Sequence, residues 1–291
     1  VFAYMGPEPA PLLPRWDILV WPGHRFSYSV ELPCNWLQCQ ENSLDPLHFQ
    51  WLHRYWGGWT MNRKLPRAER DAWNRRTAAR GADHKRIGFE LTDYGVVKRR
   101  LVGTETVQDD HWAIGHPVLF PNILRVSNNL QFRVPIDDTH TLHIRYEWSP
   151  AESCTGPINS GGDVVFEERP LLDEDGLIKR DYVMGQDMTA WVIQGPIMDR
   201  TGERLGVSDV GLIMYRRLLS EQASVVEAGG QPMNIWRDSS ANECIILPIE
   251  DFKYPGYEKI GGPFRGQTPK EPDVEANLSG EGLRLAEFSE A

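Results

Sequence analysis

Apolar and polar residues alternate along several short stretches of this chain, a pattern typical of half-buried β-strands. The first stretch is Phe26–Leu32, and the second, Phe89–Leu101, is interrupted at Asp93-Tyr94-Gly95. Because a turn sequence divides the second stretch, it predicts a hairpin. Further strands are predicted at 112–120, 122–126, 130–134 and 142–148, with a break at Pro121 and a turn at Asp137-Asp138.

Two segments have helical rather than alternating patterns. Residues 36–54 carry apolar side chains around most of a helix, which predicts a buried helix, and Ser208 is placed to cap a later helix that ends at Gly229-Gly230. Residues 55–85 are rich in Gly, Arg and Asn and predict an irregular segment, whose tryptophans favour an ordered lid or a subunit contact. Antiparallel strands with helices before and after them predict an α+β fold.

The helical segment contains the residues most suggestive of chemistry. His48 and His53 are five residues apart, and Asp45 precedes the first of them by three. Two imidazoles and a carboxylate on one face form the ligand set of non-haem Fe(II) oxygenases. Residues five apart lie about 140° apart on a regular α-helix, so both rings reach one metal only where the helix widens or ends. Two unrelated histidines remain the alternative.

Two blocks of residues form a wider pattern. The first block comprises Asn35-Trp36-Leu37-Gln38, Glu41-Asn42-Ser43-Leu44-Asp45-Pro46-Leu47-His48 and His53. The second block comprises Gln186-Asp187-Met188, Trp191, Gln194-Gly195-Pro196-Ile197, Asp199-Arg200, Glu203, Leu205-Gly206 and Ser208-Asp209. Together they resemble the Rieske non-haem iron aromatic-ring oxygenases, in the branch of phthalate dioxygenase and vanillate demethylase. The first block resembles the family's iron-binding segment, and the second resembles the segment carrying the third ligand.

The resemblance implies a mononuclear Fe(II) held by His48, His53 and Asp187. It also implies that Asp45 bridges this iron to a Rieske [2Fe–2S] cluster of the neighbouring subunit in a homotrimer, and that Asn42 supports the iron site. The implied fold is a curved antiparallel sheet gripping a long helix, the helix-grip or START-like fold. The implied activity is O2-dependent ring dihydroxylation or O-demethylation of an aromatic substrate, usually an acid, with electrons from a reductase or ferredoxin.

The sequence departs from the family in one respect. Rieske clusters need two Cys and two His, which the family supplies as Cys-x-His and Cys-x-x-His, and neither motif occurs in the 291 residues. The opening Val1–Pro7 resembles the strand that closes a Rieske domain. We therefore expect a residual Rieske strand and linker at 1–24, the catalytic domain at 25–252 and a C-terminal arm at 253–291. Without the cluster, the domain is expected to bind iron but not to turn over with a physiological reductant.

Charge, apolar runs and cysteine content limit the kinds of protein that this chain can be. The formal net charge of −10 argues against a nucleic-acid surface, and no apolar run is long enough to predict a transmembrane helix. The four cysteines match no disulfide or zinc pattern, so we interpret them as reduced in a cytoplasmic protein.

An apolar substrate pocket is expected near the iron. Its candidate lining residues are Leu47, Leu52, Phe120, Ile123, Phe132, Val183 and Met184. The histidines at 111, 116, 140 and 143 are interpreted as structural, and the charged residues Asp199, Arg200, Glu203 and Asp209 as ion pairs and helix caps.

Two other functions remain open. A helix-grip module that only carries hydrophobic ligands would not need His48, His53 or Asp187. A zinc hydrolase also uses two His and a carboxylate, but it usually has a Glu directly after the first His, where this chain has Phe49.

Overall fold

The computed structural model of the chain describes residues 4, 6, 8–77, 83–150, 164–180, 182–248 and 271–278. The helices are α1 (Asp17–Val20), α2 (Trp36–Asn42), a π-helix (Phe49–Trp56), α3 (Gly57–Lys64), α4 (Arg67–Thr77), α5 (Asp110–Ala113), α6 (Val183–Val192), a 3-10 turn (Val207–Asp209) and α7 (Val210–Glu227). The strands are β1 (His24–Leu32), β2 (His84–Thr92), β3 (Gly95–Val102), β4 (His116–Leu119), β5 (Ile123–Val126), β6 (Asn129–Pro135), β7 (Thr141–Ser149), β8 (Val165–Glu168) and β9 (Val274–Asn277).

These strands form one open sheet in the order β8-β1-β7-β6-β5-β4-β3-β2-β9. All neighbouring pairs are antiparallel except β1 and β8, which run parallel. The meander from β2 to β7 follows from the alternating apolar pattern and the turn residues between the strands. The α+β class predicted from the sequence is confirmed.

The two faces of the sheet are covered by different parts of the chain. One face, here called the outer face, packs Leu130, Phe132 and Trp148 against Trp16 and Ile18 of the N-terminal segment. Successive side chains of a strand point to opposite faces, so Arg133 lies on the other, inner face, where it hydrogen-bonds Gln40 of α2. Arg133 also lies 5.6 Å from the ring of Trp191 on α6, the helix that carries Asp187, so α2 and α6 both lie over the inner face.

The N-terminal segment is part of this core, although the sequence predicted a linker at 1–24. Leu12 pairs with Trp236 and Trp16 with Ile245 through isolated bridges, and Trp16 is 2% exposed. The proline-rich composition suggested extended chain, but the two tryptophans at 16 and 21 bury enough apolar area to fix it to the sheet.

Several helical expectations need correction. The predicted helix at 36–54 is divided, because α2 ends at Asn42 and the π-helix begins only at Phe49. The segment at 55–85 was predicted irregular, but its described residues contain α3, α4 and the start of β2. A strand was predicted at 112–120, but residues 112 and 113 belong to α5, and β4 begins only at His116. Ser208 lies inside the 3-10 turn, so it does not cap α7.

Part of the expected organisation lies outside the described residues. This holds for most of the opening strand at 1–7, for Cys154, and for the C-terminal arm except 271–278, of which β9 pairs with β2. Cys34, Cys39 and Cys244 carry free thiols. Within the described ranges, no helix combines the length and the apolar character needed to cross a membrane.

Candidate metal centre

The site begins at a tight turn between α2 and the π-helix. The carboxylate of Asp45 accepts the backbone N–H of Leu47 at 2.8 Å and that of His48 at 3.2 Å, as a helix-capping Asp does. Its burial raises the pKa of the Asp45 carboxyl. The capped turn fixes the start of the helical segment, so the backbone of His48 has a defined orientation.

The π-helix brings the two histidines onto one side. His48 directly precedes Phe49–Trp56, and His53 lies within it. A π-helix closes its hydrogen bonds between residues five apart. Two side chains five residues apart therefore lie on the same side of a π-helix, whereas a regular α-helix would direct them apart. The ring centroids of His48 and His53 lie 5.3 Å apart. The widened helix required by the sequence spacing is thus present.

The third candidate ligand comes from α6, far along the chain. Asp187 Oδ1 lies 3.2 Å from His53 Nε2 and 3.8 Å from His48 Nε2. One ligand atom from each of the three residues lies within 4.8 Å of the others, and they are the one group of this kind among the described residues. The structure therefore brings together the three side chains that the sequence selected.

Hydrogen bonds at the other ring nitrogens define the tautomers. His48 Nδ1 lies 2.6 Å from the carbonyl oxygen of Asp45, and His53 Nδ1 lies 2.9 Å from Gln186 Oε1. Oxygens of this kind only accept hydrogen bonds, so each Nδ1 carries a proton, and Nε2 of the neutral imidazole is the atom left with a lone pair. Burial lowers the pKa of His48 to about 3, which keeps this imidazole neutral.

Three electron-pair donors therefore face one another. Asp187 Oδ1 is buried and accepts no hydrogen bond, although two imidazole nitrogens are its neighbours. Such an arrangement is repulsive unless a cation lies between the atoms, so the residues present fit a metal ion. Two neutral imidazoles and one carboxylate are the donor set that suits ferrous iron in oxygenases.

Residues around the ligands hold them in place. Gln186, which precedes Asp187, orients His53, and its amide packs so closely on Gly57 that a Cβ there would lie 2.8 Å from Gln186 Nε2. Gln50 of the π-helix donates to Asp83 at 2.8 Å and lies 3.4 Å from His84 Nδ1. Sequence reasoning had not assigned roles to Gln186 or Gln50. The role of Gln186 could have been inferred from its position directly before Asp187 in the second block of the family resemblance.

The other residues selected from the sequence are distributed around this centre. Asn42 is the last residue of α2, and its carbonyl accepts the backbone N–H of Asp45. Four of the candidate pocket residues lie on the ligand-bearing segments: Leu47, Leu52, Val183 and Met184. The substrate pocket itself stays a prediction.

The remaining three candidates line a different feature. Phe120, Ile123 and Phe132 border a cavity of about 420 Å³. Trp16 and Leu19 of the N-terminal segment form its opposite wall, which places this cavity, here called the outer cavity, on the outer face of the sheet. The metal ligands lie beyond the inner face.

The residues interpreted as structural have structural contacts. His111 stacks on His116 at 5.9 Å and pairs with Glu105, whereas His140 is half exposed beside Asp137. Arg200 pairs with Glu41, and Glu203 with Arg216. Asp199 and Asp209 accept hydrogen bonds within turns, from Thr201 and Gly206 respectively. His143 differs from the other three histidines, because it is completely buried.

Comparison with known proteins agrees with this geometry. Residues 165–244, which include Asp187, match a family model described as LigXa C-terminal domain like. The 5,5'-dehydrodivanillate O-demethylase oxygenase subunit of Sphingobium sp. is 36% identical over 249 residues, covering 85% of this chain and 55% of that protein. The phthalate 4,5-dioxygenase oxygenase subunit of Pseudomonas putida is 27% identical over 266 residues, covering 79% and 58%. The 3-chlorobenzoate-3,4-dioxygenase oxygenase subunit of Comamonas testosteroni is 26% identical over 285 residues, covering 79% and 60%.

These similarities support a catalytic domain of the Rieske non-haem iron oxygenases. The relatives that the chain matches include a phthalate dioxygenase and an O-demethylase, which is the branch that the sequence resembles. The chain spans a little over half the length of the curated relatives that it matches.

Proposed function

We propose that the chain binds one ferrous ion through His48, His53 and Asp187 and serves as the catalytic domain of an oxygenase acting on an aromatic substrate. The observation that carries this proposal is the meeting of two imidazole Nε2 atoms and an unpartnered carboxylate oxygen within 4.8 Å. Ferrous iron bound there would supply the activation of O2. The protein residues fix the ligand lone pairs through the Asp45 carbonyl and the Gln186 amide, and bury the site from bulk water.

The substrate is proposed to be an aromatic acid. The relatives are named for phthalate, 3-chlorobenzoate and 5,5'-dehydrodivanillate, and they include both dioxygenases and a demethylase. The same metal site serves ring dihydroxylation or O-demethylation, because the bond presented to the metal decides between them. The proposed activity therefore covers both reactions.

Electrons are proposed to reach the iron from a Rieske [2Fe–2S] cluster, which a reductase or ferredoxin would reduce. Asp45 supports this path because it contacts the His48 backbone and is one-third exposed at its side chain, so it can bridge to a group outside the chain. Asn42 is proposed to support the same turn. An Asp45→Asn variant should keep the ferrous ion and lose the bridge.

A homotrimer is proposed as the assembly. An aromatic stripe consisting of Trp51, Tyr55 and Trp59 lies exposed to solvent on the π-helix and α3. Residues 51–76 contain seven basic and two acidic residues, while the whole chain has a net charge of −10. A second copy of this chain therefore offers the acidic surface that the stripe and its arginines would attract.

Metal analysis tests the proposed iron site. Anaerobically purified chain should bind about one ferrous ion, and His48→Ala should abolish this binding because it removes one of three ligands. His140→Ala, at a half-exposed histidine beside Asp137, is the matched control and should bind iron normally. Absence of iron binding, or identical binding by the His48→Ala variant, would exclude the oxygenase proposal. Binding of zinc with hydrolytic activity would favour the hydrolase alternative.

The outer cavity favours one second candidate, a carrier of hydrophobic ligands. Its lining is largely apolar, and its volume of about 420 Å³ suits a small molecule. A carrier would bind apolar compounds equally well with and without His48 and Asp187. Loss of aromatic-compound binding in Phe132→Ala, which lies in the cavity wall, would favour the carrier, whereas unchanged binding would favour the oxygenase.

A further inference from the structure

A group of buried hydrogen-bonding atoms surrounds the ring of Trp191 on the inner face of the sheet. The guanidinium carbon of Arg133 lies 5.6 Å from the ring centroid of Trp191, and the ring of His143 lies 5.5 Å from it. Arg133 on β6 and His143 on β7 are direct cross-strand partners, so their side chains emerge on the same face. The exposed fractions of the three residues are at most 1%.

Four polar atoms of this group have no hydrogen-bond partner. They are Arg133 Nε, both ring nitrogens of His143 and Trp191 Nε1. Each buried polar group without a partner costs about 1–3 kcal/mol, and native proteins keep few of them. Arg133 Nε and Trp191 Nε1 can only donate, and neutral His143 donates from one nitrogen. The group therefore lacks an acceptor.

The charge of Arg133 is also uncompensated by its hydrogen bonds. Its three hydrogen bonds go to the neutral oxygens of the Gln40 amide, the Gln131 amide and the Gln131 backbone. Burial lowers the pKa of Arg133 to about 10, so the guanidinium remains protonated at neutral pH. The nearby Cys39 does not neutralise it, since burial raises the pKa of this thiol and keeps it protonated. The Asp187 carboxylate is near enough to favour the charged guanidinium, but it makes no hydrogen bond to Arg133 among the described residues, so the missing acceptor is best supplied by an anion.

The position of the group relates it to the metal centre. Trp191 follows Asp187 by four residues on α6, so both side chains lie on the same helix face, about one turn apart. Asp187 is directed towards the two histidines, and Trp191 towards Arg133 and His143. The outer cavity is separated from this group by the sheet. A molecule held by these donors would therefore extend towards the metal ligands.

We propose that Arg133, His143 and Trp191 form a carboxylate-binding subsite, and that it holds the acid group of the aromatic substrate. The proposal rests on the proposed oxygenase function for the identity of the ligand. Arg133 supplies the positive charge, and the imidazole and indole N–H groups supply neutral donors. Charge-assisted hydrogen bonds of this kind are shorter and stronger than neutral ones. The three residues determine specificity and position the ring, without acting on the reacting bond.

Calorimetric titration of the metal-free chain tests the subsite, because a chelator prevents the carboxylate from binding the metal directly. The probes are benzoate, its neutral isostere benzamide, and acetate. Benzoate should bind at least about tenfold more tightly than benzamide, since it alone brings a charged acceptor. It should also bind more tightly than acetate, which lacks the ring. Equal affinities for benzoate and benzamide would overturn the subsite, and equal affinities for benzoate and acetate would overturn its assignment to aromatic acids.

Substitutions assign the effect to these residues. His143→Phe and Arg133→Met keep the side-chain volume and should each remove most of the preference for benzoate, whereas Arg133→Lys keeps the charge and should retain part of it. Trp191→Phe, a milder change, should reduce the preference if the first variants fold poorly. His140→Phe is the control, because His140 lies three residues before His143 but is half exposed. A preference that survives His143→Phe, Arg133→Met and Trp191→Phe would overturn the proposal. Iron binding measured on the same folded variants should stay at one ion per chain, so loss of the iron site and loss of the subsite are separate results.

Discussion

The side-chain carbonyl of Gln186 lies 2.9 Å from Nδ1 of His53, and Gln186 is the residue directly before Asp187. Two consecutive residues of α6 thus belong to the candidate metal centre, since Asp187 is one proposed ligand and Gln186 orients another, His53 of the π-helix. The amide nitrogen of Gln186 lies 3.5 Å from the carbonyl of Arg180, which agrees with the assigned direction of the amide. Any movement of α6 would therefore displace the carboxylate and the second imidazole together.

Replacing Gln186 by Ala should weaken ferrous-ion binding by about 10- to 100-fold, because groups that orient metal-bound histidines typically contribute this much affinity. The variant leaves all three ligands in place but releases the ring of His53. Competition with a chelator of known affinity measures the change. Gln194→Ala is the control, since Gln194 is exposed near the end of the same helix and its side chain donates to the backbone carbonyl of Ala190. Equal affinities for the Gln186→Ala variant and the unaltered chain would show that His53 is oriented by other contacts.

Much of the sheet followed from the sequence because apolar and polar residues alternate along its strands. The stretch at 26–32 corresponds to β1, the hairpin at 89–101 to β2 and β3, and the stretches at 130–134 and 142–148 to β6 and β7. The geometry of the metal centre was also predictable in part. Five-residue spacing between His48 and His53 requires a helix wider than an α-helix, and the structure has a π-helix there.

Other elements could not be predicted, for physical reasons. The helices α3 and α4 are polar or glycine-rich, so no apolar period marks them. The short strands β8 and β9 lie at the two edges of the sheet, where backbone pairing with β1 and β2 fixes them rather than side-chain pattern. Residues 16–21 join the core through tertiary contacts with segments beyond residue 235. The buried pair Arg133 and His143 required the strand register before it could be recognised.

Charged substitutions in the aromatic stripe should weaken the proposed homotrimer. Trp51 is 61% exposed and Trp59 57%, and Arg63 lies over the ring of Trp59 at 4.9 Å. Introducing Trp51→Glu together with Trp59→Glu removes apolar contact area and adds negative charge that an acidic neighbour would repel. Sedimentation analysis should show dissociation towards monomers. Ile193→Glu, at a 74% exposed residue on α6's end, should leave the assembly unchanged. The same association state in the double variant would place the subunit contact elsewhere.

Removing the negative charge of Glu41 should destabilise the fold. Glu41 is 5% exposed and accepts hydrogen bonds from Arg200 Nη2 at 2.8 Å and Arg216 Nε at 2.6 Å. Glu41→Gln leaves two arginines without their shared counter-charge and should lower the free energy of unfolding by about 3 kcal/mol. Urea unfolding measures this change. Glu221→Gln breaks an exposed pair with Arg217 and should cost less than about 1 kcal/mol. Similar losses in both variants would mean that solvent already screens Glu41.

Burial of His84 should make the chain less stable in mild acid. His84 is 5% exposed, and burial, together with the nearby charges of Arg100 and Lys98, lowers its pKa to about 4 from an ordinary 6.5. Between these values the unfolded chain binds a proton that the folded chain does not, so stability falls as the pH falls from about 6.5 towards 4. The loss between pH 7.5 and pH 5 is expected to be about 2 kcal/mol from this residue.

The variant His84→Gln keeps a side chain able to hydrogen-bond Gln50 but cannot titrate, so it should be less sensitive to acid by that amount. Urea unfolding of the metal-free chain at the two pH values gives the comparison, because a bound ion would add its own pH dependence. The other buried histidines contribute equally to both proteins and cancel in the difference. His140→Gln, at a half-exposed position, should retain the acid sensitivity of the unaltered chain. If His84→Gln loses as much stability in acid as the unaltered chain does, His84 is already protonated in the folded state or solvated through local opening of β2.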